Sequence, residues 1–263
     1  MNAIACPQEF VAFAHKIADG VGEVHRRYFR KAVRMQIKVD ASPVTNVDQE
    51  SEQVMRDMVH KRFPGHGIIG EEFADHQRDA EYVWVIDPID GTRQFISGKP
   101  LFALLLALAH KGEFILGVID QAILKERWLG ADGHGTLYNG SPAHTRRCPS
   151  LSRAVLSRPG YDEYTEGRND VIDRVSAQAQ WVEWGITPYD YGLIASGYMD
   201  AMINSGPKLW DLAPIDPIIR NAGGKAVDWH GKPLNLESPD HVIVAGDPAL
   251  IDGILGHING EQE

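Results

Sequence analysis

Residues Trp84-Val85-Ile86-Asp87-Pro88-Ile89-Asp90-Gly91-Thr92 join a run that demands burial to two acids that resist it. Such an apolar run is a strand covered on both faces, and acids at its end are costly unless they are paired or bind metal. Pro88 stiffens the link between the acids, and Gly91 lets a ligand approach the backbone closely. Gly91-Thr92 can open a helix, whose first N–H groups are free to meet a phosphate. Asp-Pro and Asp-Gly pairs also occur in plain solvated turns. The buried strand before them favours the other reading, because two fixed carboxylates are what a hard divalent cation needs. A cation and a phosphate meeting at one strand end point to Mg²⁺-dependent phosphate chemistry.

Other acids fall in comparable places. Gly70-Glu71-Glu72 follows a short apolar strand, and neighbouring strands would bring its acidic end beside Asp87. In Trp210-Asp211-Leu212-Ala213-Pro214, Asp211 reads as a helix N-cap, with one carboxylate oxygen left to face a cation. Thr45 and Asp48 resemble a capping box with Asp in place of Glu, so Asp48 is a first-turn acid that can also accept a distant hydroxyl.

The net charge of −10 argues against a nucleic-acid partner but not against a small phosphate ester, since bound Mg²⁺ inverts the local field. The two cysteines, Cys6 and Cys148, form no CxxC pair and read as free thiols of a reducing compartment. The N-terminus shows no secretory pattern, and no apolar run reaches the ~20 residues of a membrane span. The expectation is a soluble cytoplasmic protein.

Phe10, Phe13, Ile17, Val21 and Val24 recur at helical spacing and predict a helix over 7–29. A second helix runs from Thr45 to about Phe63, ended by Pro64-Gly65. Strands are expected at Gly67–Gly70, Tyr82–Ile86, Ala103–Ala109, Phe114–Ile119, Leu124–Leu129 and Thr136–Tyr138, with a hairpin turn at Lys111-Gly112-Glu113. Beyond about 145, strands near 154–157, 181–184, 201–204, 225–229 and 242–245 alternate with helices near 166–178, 188–198, 212–222 and 247–257. This gives an α/β (α+β) chain with an N-terminal α+β half, 1–145, carrying most of the acids, and a C-terminal α/β half, 146–263, supplying Asp211. The sequence has no GxxxxGK[ST], no HExxH and no GxSxG. A phosphatase with an aspartyl nucleophile wants Asp-x-Asp-Gly-Thr, and here the acids are Asp-x-x-Asp.

Taken together, Asp48 after Val44-Thr45, Gly70-Glu71-Glu72, Asp87-Pro88-Ile89-Asp90-Gly91-Thr92, and Trp210-Asp211-Leu212-Ala213-Pro214 with Ala222-Gly223-Gly224 resemble the inositol monophosphatase family of Mg²⁺-dependent phosphomonoesterases. The order of the segments matches over nearly the whole chain. The resemblance implies an αβαβα layered sandwich, a homodimer, and two or three Mg²⁺ ions, with Li⁺ as an inhibitor. Glu71, Asp87, Asp90, Asp211 and the Ile89 carbonyl are the implied metal ligands, and Gly91 and Thr92 the implied phosphate cradle. Asp48 and Thr92, with Glu71, are the implied catalytic group that polarises the attacking water; Glu72 assists indirectly. Four carboxylates so close would repel one another without cations, so a metal-free site should be loose or partly protonated.

Asp90 to Phe102, Gly117-Val118-Ile119-Asp120-Gln121 with Glu126-Arg127-Trp128-Leu129-Gly130, and Tyr189 to Gly197 look closest to the histidinol-phosphate phosphatase branch. Arg93, Gly185, Thr187, Asn204 and Asp211 are the implied substrate contacts. Thr187 and Asn204 stand where that branch usually has acids for a cationic substrate; Asp190 is a candidate replacement. Histidinol phosphate is ranked first, ahead of inositol phosphate or a sugar phosphate. A non-catalytic regulatory binding protein is the alternative from another class, and the intact acid set argues against it.

Overall fold

The computed structural model describes residues 5–158, 160, 168–185 and 187–260. Helix α1 (Gln8–Tyr28) is followed by a small antiparallel pair, β1 (Met35–Ile37) and β2 (Pro43–Thr45), and by α2 (Asn46–Arg62). Next come β3 (Gly67–Gly70), β4 (Tyr82–Asp90), the short α3 (Thr92–Ile96), β5 (Ala103–His110), β6 (Glu113–Gln121), β7 (Glu126–Ala131), β8 (Gly135–Tyr138) and β9 (Ser141–Pro142). Strands β3 to β9 form one seven-stranded sheet in sequence order; only β3 and β4 pair in parallel.

The rest of the chain supplies β10 (Val155–Arg158), α4 (Asn169–Ser176), β11 (Trp181–Trp184), α5 (Thr187–Ala195), β12 (Ala201–Ser205), α6 (Leu209–Leu212), α7 (Ile215–Ala222), β13 (Lys225–Val227), β14 (His241–Ala245) and α8 (Leu250–Asn259). Its five-stranded sheet has the order β11-β10-β12-β14-β13.

The period-2 alternation of strand side chains decides the layers. On β4, Trp84 and Ile86 face the helices α1 and α2, where Phe10, Phe13, Ile17, Val21 and Met55 cover them. Val83 and Val85 face the other way, toward Tyr191 and Ile194 of α5, Leu212 of α6 and Ile215, Ile218 and Ile219 of α7. The same central helices also cover Met202, Val242 and Val244 of the second sheet. The outer face of that sheet, with Leu156, Ile203 and Ile243, packs on Ile172 and Val175 of α4 and Ile254 of α8. Helix, sheet, helix, sheet and helix therefore stack as the expected αβαβα sandwich.

Close approach at the centre depends on missing side chains. A Cβ on Gly117 would sit 2.2 Å from the Pro214 carbonyl oxygen, and one on Gly130 2.4 Å from that of Pro217. These glycines let the backbone around α7 lie directly on β6 and β7.

Several expectations shift in detail. The helix expected over 212–222 begins at Ile215 as α7, with Pro214 as its N-cap residue, and Leu212 instead ends the separate short helix α6. Proline lacks the N–H that would continue α6 through this point. Strand β4 runs on to Asp90, with a register irregularity between Asp87 and Asp90 that accommodates Pro88. The expected turn after β5 is present, with Lys111 and Gly112 both at positive φ, 54° and 91°. Cys6 and Cys148 are free and buried. Among the described residues, no helix is long and apolar enough to cross a membrane.

Candidate active site

Parallel pairing of β3 and β4 sets Gly70 beside Ile86, so Glu71 and Asp87 leave neighbouring strand ends together. Asp87 is 2% exposed, and its Oδ1 accepts the Ile89 N–H at 2.9 Å across Pro88. That bond fixes the carboxylate and turns the chain so that Asp90 follows on the same side. Gly91 then adopts φ 92°, ψ 41° as the N-cap residue of α3, a left-handed conformation that glycine accepts at no steric cost. Asp211 arrives from the other half of the chain. Carboxylate oxygens of Asp87, Asp90 and Asp211 lie within 4.8 Å of one another.

Asp211 is not the N-cap of its helix. Lys208 holds that position, and Asp211 is the third helical residue, its Oδ2 accepting the Lys208 N–H at 2.7 Å. The bond ties one oxygen back to the chain and aims the group into the cleft. The consequence expected of a cap survives, but the position is three residues along.

The expected capping box at α2 is present in full. Asp48 Oδ2 accepts the Thr45 N–H at 2.8 Å and also the Thr45 hydroxyl, while Val47 N–H donates to Thr45 Oγ1 at 3.0 Å. Asp48 Oδ1 is left to meet the Thr92 hydroxyl at 2.9 Å; Thr92 Oγ1 is also 3.1 Å from the Ile89 carbonyl oxygen. One hydroxyl has one proton, so it serves these two acceptors in turn.

A cleft of about 550 Å³ opens over these groups. Glu71, Asp87, Ile89, Asp90, Gly91, Thr92, Arg93 and Asp211 all line it. Lys38, from the turn between β1 and β2, reaches in from the side. Its Nζ lies 2.7 Å from Glu71 Oε1 and 2.8 Å from Glu72 Oε1. Sequence reasoning gave Lys38 no role, and the only signal was its place at the start of the segment leading to Asp48.

Electrostatics bears the mark of crowded acids. Burial first, then the charges of Glu71, Asp90 and Asp211, push the Asp87 carboxyl well above the ordinary range. Burial pushes Asp211 up to about 7, against the bond from the Lys208 N–H. Burial also raises Glu72 to about 7, although Lys38 opposes it. For Lys38 itself, burial favours the neutral amine, but the two glutamates outweigh it and its pKa rises. Asp48 is raised by burial against its hydrogen bonds from Thr45 and Thr92. The expected partial protonation of a metal-free site thus matches the environment of these carboxyls. Acids of this kind, at this spacing, suit a hard divalent cation.

Of the substrate contacts expected in the second half, Asp211 lines the cleft. Gly185 and Asn204 are not among the described residues lining the cleft. Gly185 follows β11, where a Cβ would come within 1.5 Å of Asp190 Oδ2, and it lines a separate cavity with Trp184, Tyr189 and Asp190. Asn204 is buried, its Oδ1 accepting the Ser205 N–H at 2.7 Å. Asp190 is also turned inward, taking the Ser157 hydroxyl, because its segment is helical as α5. Thr187 opens that helix, and its side chain lies outside the described residues.

With this geometry established, comparison with known proteins is direct. The model of the inositol monophosphatase family matches residues 7–263. The bifunctional phosphatase IMPL2 of Arabidopsis thaliana chloroplasts is 42% identical over 247 residues, covering 90% of this chain and 71% of that protein. A histidinol-phosphatase of Chlorobaculum parvum is 32% identical over 255 residues, covering 95% and 97%. The solved structure of an inositol monophosphatase from Zymomonas mobilis superposes with a TM-score of 0.88 at 37% identity, covering 96% of this chain and 98% of that one. The chain belongs to the inositol monophosphatase family, and it is a phosphoric monoester hydrolase.

Proposed function

We propose that the protein is a Mg²⁺-dependent phosphomonoesterase acting on a small phosphorylated metabolite, with histidinol phosphate as the preferred substrate. The observation that carries the metal dependence is the convergence of Asp87, Asp90 and Asp211 within 4.8 Å in a cleft that also holds Glu71 and Thr92. Glu71, Asp87, Asp90, Asp211 and the Ile89 carbonyl would hold two or three ions. Bound there, Mg²⁺ supplies charge neutralisation, a more acidic water and stabilisation of the leaving oxygen.

The chain's own groups do the rest. Gly91 and Thr92 present backbone N–H groups to the phosphate at the mouth of the cleft. Thr92 Oγ1 orients the attacking water and passes its proton toward Asp48 Oδ1, which lies 2.9 Å away. The capping box holds Asp48 so that this oxygen keeps facing Thr92. Arg93, exposed at the rim, meets the polar end of the substrate. No acid acts as a nucleophile, since Asp87 and Asp90 are committed to the cation.

The choice of substrate is supported by histidinol-phosphatases at 32% and 33% identity. An inositol phosphate is the second reading, favoured by the 37% identity to an inositol monophosphatase of known structure and by the inward-turned Asp190, which leaves that acid away from the cleft. The same account includes inhibition by Li⁺, a cytoplasmic location and a homodimer.

Under identical Mg²⁺, kcat/KM should be highest for histidinol phosphate across a panel with inositol 1-phosphate and small sugar phosphates; a clear lead for another ester reassigns the substrate. Asp90→Asn should cut turnover by orders of magnitude while the metal-free thermal midpoint holds or rises, because the amide relieves repulsion; near-wild-type turnover contradicts the metal role. Because Asp87, Asp211 and Glu72 bind protons more tightly when folded, protons compete with the cation up to about pH 7. The rise in thermal midpoint produced by Mg²⁺ should therefore grow from acidic pH to about pH 8, and a rise independent of pH would contradict this.

A further inference from the structure

Glu52 is a fully buried acid that the chemistry above does not use. It lies on α2 four residues after Asp48. Its Oε2 accepts the Glu72 N–H at 2.8 Å, and its Oε1 accepts the Phe73 N–H at 3.2 Å and Arg56 Nε at 2.8 Å. Arg56 closes the loop by donating from Nη2 to the Phe73 carbonyl at 3.0 Å, with its guanidinium 5.8 Å from the centre of the Phe73 ring. Gly70 makes this approach possible, since a Cβ there would sit 2.4 Å from Glu52 Oε1.

A buried carboxylate is expensive, and here it is satisfied by charge-assisted bonds to the backbone just past Glu71. We infer that Glu52 and Arg56 are positioning residues that clamp the Gly70–Phe73 segment to α2 and so fix where the Glu71 carboxylate stands. Helix α2 then acts as a rigid ruler. Asp48 on one turn meets Thr92, and Glu52 on the next sets the strand end that carries Glu71. The distance between the proton-accepting group and one wall of the cation site is thereby set within a single helix. The inference rests on the cation site proposed above.

Glu52→Gln keeps the shape but turns one acceptor into a donor facing N–H groups. Calorimetric titration with Mg²⁺ alone, well below the melting temperature, should show affinity reduced by about 10–100-fold. Exchange of the Glu72 and Phe73 amides should accelerate, and saturating Mg²⁺ should restore most of kcat. Gly70→Ala, which pushes on the clamp from the strand side, should give the same pattern, and it serves if Glu52→Gln does not fold. A merely structural role would lower the thermal midpoint but leave Mg²⁺ affinity of the folded protein unchanged, and that result in either variant overturns the clamp. Asp87→Asn is the reference. If it loses Mg²⁺ binding and the clamp variants do not, the clamp alone fails; if it binds like wild type, the cation site fails and the inference falls with it.

Discussion

Mutual repulsion among Glu71, Asp87, Asp90 and Asp211 is the constraint around which the rest of the structure is arranged. Left to themselves these groups would separate or take up protons; burial first, and then the neighbouring charges, displace Asp87 and Asp211 upward. Backbone groups fix Asp87 and Asp211 from behind, and strand pairing places Glu71. The parallel β3–β4 pair sets Glu71 against Asp87, the Ile89 N–H holds Asp87, and the Lys208 N–H holds Asp211. Lys38 offsets part of the charge on the Glu71 side, at 2.7 Å. A fold that spends so much rigid backbone on holding like charges together is organised for a multivalent counter-ion.

The layered architecture explains how distant segments reach one place. Both sheets bury one face against α5, α6 and α7, so these helices are fixed from two sides. Helix α6 consequently brings Asp211 to the end of β4 with little freedom. On the far side of the first sheet, α2 packs on β4 and delivers Asp48 to Thr92. The site therefore draws its precision from packed helices and strand ends, while Lys38 comes from the small β1–β2 pair, whose Met35 and Ile37 are exposed.

Much of this was legible in the chain. β3 and β11 have the bounds that their apolar runs and flanking residues indicate, and the Thr45–Asp48 capping box is read from spacing alone. The acids were legible because a carboxylate at the end of a buried strand contradicts local preference. What was missed depended on tertiary placement. Glu52 looks like any solvated helix acid, and only the approach of Gly70 and the amides beyond it shows that it is buried. Lys38 sits in a polar turn whose destination no local pattern encodes. Asp211 carries the local signature of a cap, a short polar residue before an apolar turn, but meets the Lys208 N–H from the third helical position. Gly185 and Asn204 are substrate contacts by resemblance alone, and neither is among the described residues lining the cleft.

The central claim is that these carboxylates form one cation site beside a phosphate cradle. Crystals soaked with Mn²⁺ and inorganic phosphate, measured at the manganese absorption edge, test it most directly. Anomalous peaks between Asp87, Asp90 and Asp211, with phosphate against the Gly91 and Thr92 N–H groups, are the predicted result. Manganese bound only outside this cluster, or phosphate seated away from α3, would contradict it.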